Sequence, residues 1–313
     1  MDQYAEAKFS RKCTFLEIPT AQAYIGVKAI SSPPSADSQS ASDTSHPHKA
    51  AERFEQRWVS QADIAWFMAR EYTTTQHVFG LIAIPASRNA RSMSIKISRE
   101  GFNKILDQNA FSRALLGSLA DGHIGFQWVD HHHGDEDGRG EGGRTFYFGA
   151  HSFALLWCEG GARAARKAIY LDFSAAASPS YGFLHALRQH HGWNATATTG
   201  LMPAYCGALA EWDEIRKMID GFPPDIRSWF FVHSVVADDK DTIGHRVDLT
   251  RCLERLQCLD DTLASMDSFP VRDDLLQGRT RLLRDQVQHE KRRVVSKLEQ
   301  YRLLSSQVSF FFY

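Results

Sequence analysis

The sequence predicts an α/β (α+β) fold: a mixed sheet flanked by helices, then a C-terminal helical hairpin with a long stalk-like helix. Three observations carry that expectation. Strand-like and helix-like signals alternate from about Arg53 to Val236. From Thr242 onward, leucines recur at steps of three and four. Among 313 residues, 43% are hydrophobic and 12% aromatic, enough for a sizeable core. The expected organisation is an N-terminal strand-like segment and flexible linker over 1–50, an α/β domain over 51–240, and a helical region over 241–313.

Near the N-terminus, "KCTFLEIPTAQAYIGVKAI" holds strand-like patches that can pair with the main sheet. Residues 31–50 follow, with seven Ser, three Pro and no large apolar side chain. Such a stretch cannot offset the entropy of ordering and reads as a linker. "SMSIKI" is a short strand. In "SREGFNKILDQ", Ser98 and Glu100 sit where a helix starts, and Phe102, Ile105 and Leu106 mark one face. "HIGFQWV" alternates Ile124, Phe126 and Trp128 on one side of a strand. "TFYFGAHSFALLWC" and "RKAIYLDF" are each long enough for a central strand. "SYGFLHALRQHHG" predicts a helix with Phe183, Leu184 and Leu187 inward, and "LMPAYCGALAEWDEIRKMIDGF" predicts another, stopped by the following Pro pair.

Two apolar stripes close the chain. The first runs through Leu249, Leu253, Leu256, Leu263 and Met266, interrupted by Asp260. The second runs Leu276, Leu283, Val287, Val294, Leu298, Tyr301 and Val308, on a helix about 50 Å long at 1.5 Å per residue. So narrow a stripe suits packing against another helix.

The charges nearly balance, with 36 Lys and Arg against 37 Asp and Glu, which argues against a nucleic-acid partner. Five scattered cysteines without a C-x-x-C pair point to a reduced, cytoplasmic setting rather than a disulfide framework or zinc ribbon. No signal-peptide core and no run of about 18 apolar residues occurs, so a membrane enters only through a longer gene product.

"VDHHHGDEDGRGEGGRTF", Val129 to Phe146, is the stretch richest in potential ligands. A divalent site there would use His131 and His133, assisted by Asp135 or Asp137. Zinc needs ligands held in rigid tetrahedral geometry, and five glycines in ten residues offer the opposite. Four acids and the missing Gly-Lys-Ser/Thr ending argue still more strongly against a phosphate cradle. The stretch reads as a solvated loop between strands. Asp238, Asp239 and Asp241 fit a solvated turn better than a diphosphate-binding motif, since the last acid falls one position early. His190 and His191 close a helix, where cations complement the dipole. Cys252 and Cys258 face different directions on their helix. The Lys291–Arg293 basic cluster is balanced by Asp285, Glu290 and Glu299. Neither G-x-S-x-G nor H-E-x-x-H occurs. No catalytic, cofactor-binding or metal residue is assigned.

Three further stretches, "SREGFNKILDQNAFSRALLGSL", "LMPAYCGALAEW" and "RTRLLRDQVQHEKRRVVSKLEQYRLLSSQ", together spanning residues 95–307, carry a resemblance. In that order the chain resembles the cytosolic part of fungal CorA-like divalent-cation transporters of the CorA/ZntB superfamily. The last stretch resembles the long helix that, in the family, descends into the membrane as a stalk. The family's Gly-Met-Asn signature is absent, as are both transmembrane helices. The resemblance therefore implies a cytosolic domain without its pore, structural or regulatory in role, with Mg2+ as the implied ion. It is not expected to be an enzyme. The alternatives are an interaction protein acting through a C-terminal coiled coil, or a small-molecule enzyme with a dispersed site. Self-association, or pairing with a partner helix, is expected through residues 275–313.

Overall fold

The structure, a computed structural model, describes residues 2–16, 23–31, 53–69, 77–89, 91–109, 111–131, 143–159, 166–173, 181–190, 201–223, 239–270 and 274–311. The expected linker over 31–50 lies outside these, apart from Ser31. Contacts divide the chain into two compact units, Met1–Gly207 and Ala208–Tyr313. The division falls inside a helix.

The first unit is built on a mixed sheet of nine strands among the described residues. In chain order its elements are α1 (Asp2–Lys12), β1 (Cys13–Phe15), β2 (Ala23–Ser31), β3 (Arg53–Ser60), α2 (Gln61–Ala69), β4 (His77–Arg88), β5 (Met93–Ile95), α3 (Arg99–Gln108), a 3-10 turn, α4 (Leu116–Asp121), β6 (Gly125–His131), β7 (Gly143–Gly149), β8 (Phe153–Glu159), β9 (Arg166–Asp172), α5 (Tyr181–His190) and the start of α6 (Met202–Asp220). The order across the sheet is β1-β5-β4-β9-β8-β7-β6, with β2 also on β4 and β3 outside β2. β4 runs parallel to β9, β1 parallel to β5, and β6 to β9 form an antiparallel meander. The strand-like patches of the N-terminal segment do join this sheet, as β1 and β2.

The α3 helix forms where the sequence placed it. Ser98 accepts from the Gly101 amide at 3.0 Å, Glu100 lies in the first turn, and Phe102, Ile105 and Leu106 are buried. At its far end the Asn109 side chain donates to the Ile105 carbonyl at 2.7 Å. α4 ends at Gly122, whose φ of 61° allows the left-handed turn that satisfies the last carbonyls. α1 docks through Phe9, whose ring stacks on Phe102 at 5.7 Å, and its Lys12 reaches Asp121 at 2.8 Å.

One expected strand is two. "TFYFGAHSFALLWC" is split into β7 and β8 by a tight turn closed by the Ala150 amide and Phe153 carbonyl at 2.9 Å. Both strands are covered on both faces, so their apolar run has no alternation to reveal the turn. Ala154, Leu156 and Cys158 face one core with Phe9, Phe67, Phe102 and Leu119. Phe153, Leu155 and Trp157, equally buried, alternate with them along the strand. There Phe183 of α5 lies 5.1 Å from the Tyr170 ring, and Gly207 comes so close to Phe148 that a Cβ would sit 2.9 Å from the ring.

The second unit contains the rest of α6, α7 (Asp239–Asp267) and α8 (Asp274–Phe311). α8 has 38 residues, about 57 Å at 1.5 Å per residue. Pairings between α7 and α8 run in opposite senses: Asp267 meets Arg281, Asp260 meets Arg284, and His245 meets Tyr301. The two helices are therefore an antiparallel hairpin. Leu249, Leu256, Leu263 and Met266 of the first stripe are buried, as are Leu276, Leu283, Val287, Val294 and Tyr301 of the second. Leu253 and Leu298 are half-buried, and the side chain of Val308 lies outside the described set. The long stripe thus finds its helix partner within the chain.

Candidate functional site

Most of the candidate metal ligands singled out from sequence lie outside the described residues. His131 is the last residue of β6, paired in register with Gly143, while His132, His133, Asp135 and Asp137 lie outside the described residues. Asp130, just before them, pairs with Arg144 at 2.6 Å across the hairpin. Asp239 and Asp241 open α7, Asp238 lies outside the described residues, and His190 ends α5 with His191 outside. Among the described residues, no three His, Cys, Asp or Glu side chains gather as a metal would require.

The thiols are poorly suited to nucleophilic work. Burial pushes Cys13 and Cys158 up to about 12, and pushes Cys206 higher still. Cys252 and Cys258 are raised for the same reason. A thiol that stays protonated at neutral pH is a weak attacking group.

The most developed polar assembly belongs to the second unit. Glu211 and Glu214, three residues apart, share one side of α6 and clasp Arg255 of α7. Arg255 Nε donates to Glu211 at 2.8 Å, one terminal nitrogen to Glu214 at 2.9 Å, and the other to the Met218 sulfur at 3.2 Å. Burial works against the guanidinium's charge, but the two carboxylates outweigh it and hold its pKa above the usual value. One turn further along α7, Asp260 is buried and receives Arg284 at 3.0 Å, the Gln288 amide, and Lys291 at 3.7 Å from α8. Burial alone would raise the Asp260 carboxyl; the Arg284 and Gln288 hydrogen bonds and the nearby cations hold it below the ordinary carboxylate range. Nearer the hairpin's open end, His245 Nδ1 meets the Tyr301 hydroxyl at 3.0 Å, with the Phe222 ring edge-on.

Arg255 and Asp260 are each held in the charged form by the partners that face them, an arrangement suited to fixing helix register. Asp260 was visible in the sequence as an acid breaking an apolar stripe, a signal that a base must reach it. Its partners, 24 and 28 residues away on another helix, were not.

Comparison with protein-family models and with curated proteins finds no match for this chain. Among the described residues, no helix is long and apolar enough to cross a membrane.

Asp260→Asn is expected to destabilise the chain by about 1–3 kcal/mol, less than a fully buried pair because Arg284 and Lys291 reach solvent. The effect has a definite pH window. Asp260 is held low in the folded state, so its contribution is fully present above the unfolded carboxylate value of about 3.9 and is lost as pH falls below it. Urea unfolding at several pH values checks this. The gap between the native chain and Asp260→Asn should be flat from neutral to mildly acidic pH and shrink only below about pH 4.

Proposed function

We propose that this chain is a CorA-like cytosolic domain without a transmembrane pore, with a structural or regulatory role linked to divalent-cation transport. The observation that carries this reading is the order of parts: a mixed α/β unit, then an antiparallel hairpin ending in a 38-residue helix. That order is what the resemblance over residues 95–307 leads one to expect. The resembling stretches include α3 and α4, the start of α6, and most of α8.

A divalent cation that binds only the folded chain, at ten times its dissociation constant, adds about 1.4 kcal/mol and raises the unfolding midpoint by a few degrees. Such a rise is expected when Mg2+, Co2+ or Ni2+ is added to purified, chelator-treated chain. No rise with any of the three, against NaCl of equal ionic strength, would remove the cation from the reading.

A second reading, an interaction protein acting through α8, is favoured by Leu275, Leu282 and Leu303. Each is about 60% exposed, and their spacings are multiples of seven. Sedimentation of Leu282→Glu tests it: self-association undiminished by that substitution would remove this face of α8 from the reading.

A further inference from the structure

Among the described residues, β3 pairs only with β2 and forms an edge of the sheet. It pairs through eight consecutive positions, Ile30↔Arg53 to Ala23↔Ser60, without a bulge. Its outer row of N–H and C=O groups is therefore regular and continuous. Proline, a bulge and a very short strand are absent from β3, and the guard it does carry is charge, at Arg53, Glu55 and Arg57. By contrast β1 is three residues long. On β3 the alternation is clear. Val59 is buried and Arg57 lies over the Phe67 ring at 4.8 Å on one face, while Gln56 and the 66%-exposed Trp58 occupy the other.

The central five residues of the strand, "FEQRW", are also complementary to themselves when reversed. About a two-fold axis at Gln56, position 55 of one copy faces position 57 of the other, glutamate against arginine, twice. Position 54 faces position 58, phenylalanine against tryptophan, also twice. Opposite charges and paired aromatics directly across a ladder each stabilise it. The register is selective. Moving the axis to position 55 sets Arg53 against Arg57, and moving it to position 57 sets Arg57 against itself. Registers differing by two residues are the nearest that keep each face matched. The other long edge, β6, would pair Phe126 with Trp128 when reversed about Gln127, but that register brings no opposite charges together.

We propose that β3 pairs antiparallel with β3 of a second copy of this chain, about a two-fold axis at Gln56, joining two sheets into one.

Directly opposed residues in such a ladder have Cα atoms about 4.5–5.5 Å apart, within disulfide reach. Gln56→Cys is therefore expected to form a covalent dimer rapidly under mild oxidation, and Ala62→Cys, also exposed but beyond the strand, is not. Sedimentation of the full chain should show a concentration-dependent dimer. Glu55→Arg and Arg57→Glu should each weaken it about tenfold or more, and the double swap should restore it. Arg57 also covers Phe67, so a thermal melt accompanies that variant, and Glu55→Arg decides if Arg57→Glu does not fold. Leu282→Glu should leave the dimer unchanged. A native chain that stays monomeric at high micromolar concentration overturns the proposal. So does a Gln56→Cys chain that cross-links no faster than Ala62→Cys, or a dimer lost in Leu282→Glu but indifferent to the charge swaps.

Discussion

Arg255→Ala is expected to cost about 3–5 kcal/mol of folding stability, a third or more of what a typical domain has to lose. The magnitude comes from what is left behind. Arg255 is 13% exposed and Glu211 only 5%, so removing the guanidinium leaves a buried carboxylate without its charge partner. Glu214, at 31%, can turn toward water and contributes little to the loss. Arg255→Lys should fall between, since a single ammonium cannot reproduce the fork that reaches both carboxylates. Replacing both members, Glu211→Leu with Arg255→Met, should recover most of the stability, because a well-packed apolar pair can match a buried ion pair. Urea unfolding of the four chains decides the matter. A double variant no more stable than Arg255→Ala would mean that the arginine acts through packing rather than charge.

Gly149→Ala is expected to cost about 3 kcal/mol or more, by a different mechanism. A Cβ at this position would overlap the carbonyl oxygen of His123 and press on the Tyr147 hydroxyl, which itself donates to that carbonyl at 2.6 Å. Backbone cannot give way as a flexible side chain can, and Tyr147 is fully buried. The β6–β7 ladder would have to part where Gly125 faces Gly149. Overpacking usually costs about 1–3 kcal/mol, and a fixed carbonyl as the obstacle puts this case at or above the upper end. Gly278→Ala is the contrasting control. It lies in α8 with nothing within 4 Å of the added methyl, so it should stabilise the helix by up to about 1 kcal/mol. Thermal melts of both chains suffice, and a Gly149→Ala midpoint near that of the native chain would show that the carbonyl can move.

The candidate site was legible only at one point. An acid inside an apolar stripe announces a buried ion pair, so Asp260 could be noticed; Arg284, Gln288 and Lys291 could not be assigned to it. The clasp of Glu211 and Glu214 on Arg255 left no signal at all, because two glutamates three apart on a helix are ordinary on a solvated face. The self-complementarity of β3 is written in its eight residues, yet it carries meaning only once the strand is known to be an edge.

Local and periodic information determined much of the fold from the chain itself. Ser98, Glu100 and the Phe102, Ile105, Leu106 face specify α3 through a cap and one turn of side chains, all within a few residues. The two C-terminal stripes specify α7 and α8 because a period near 3.6 survives over many turns. α1 escaped notice because its buried apolar residues are only Ala5 and Phe9, too few to form a pattern before they meet Phe102. The β7–β8 turn escaped because burial on both faces erases alternation and its residues lack an Asn-Gly or Asp-Gly pair. Which strand becomes an edge, which glycine meets a carbonyl and which arginine reaches which carboxylate were decided only by the tertiary structure. Each depends on a contact between residues tens of positions apart, and a single sequence records the two partners without recording that they meet.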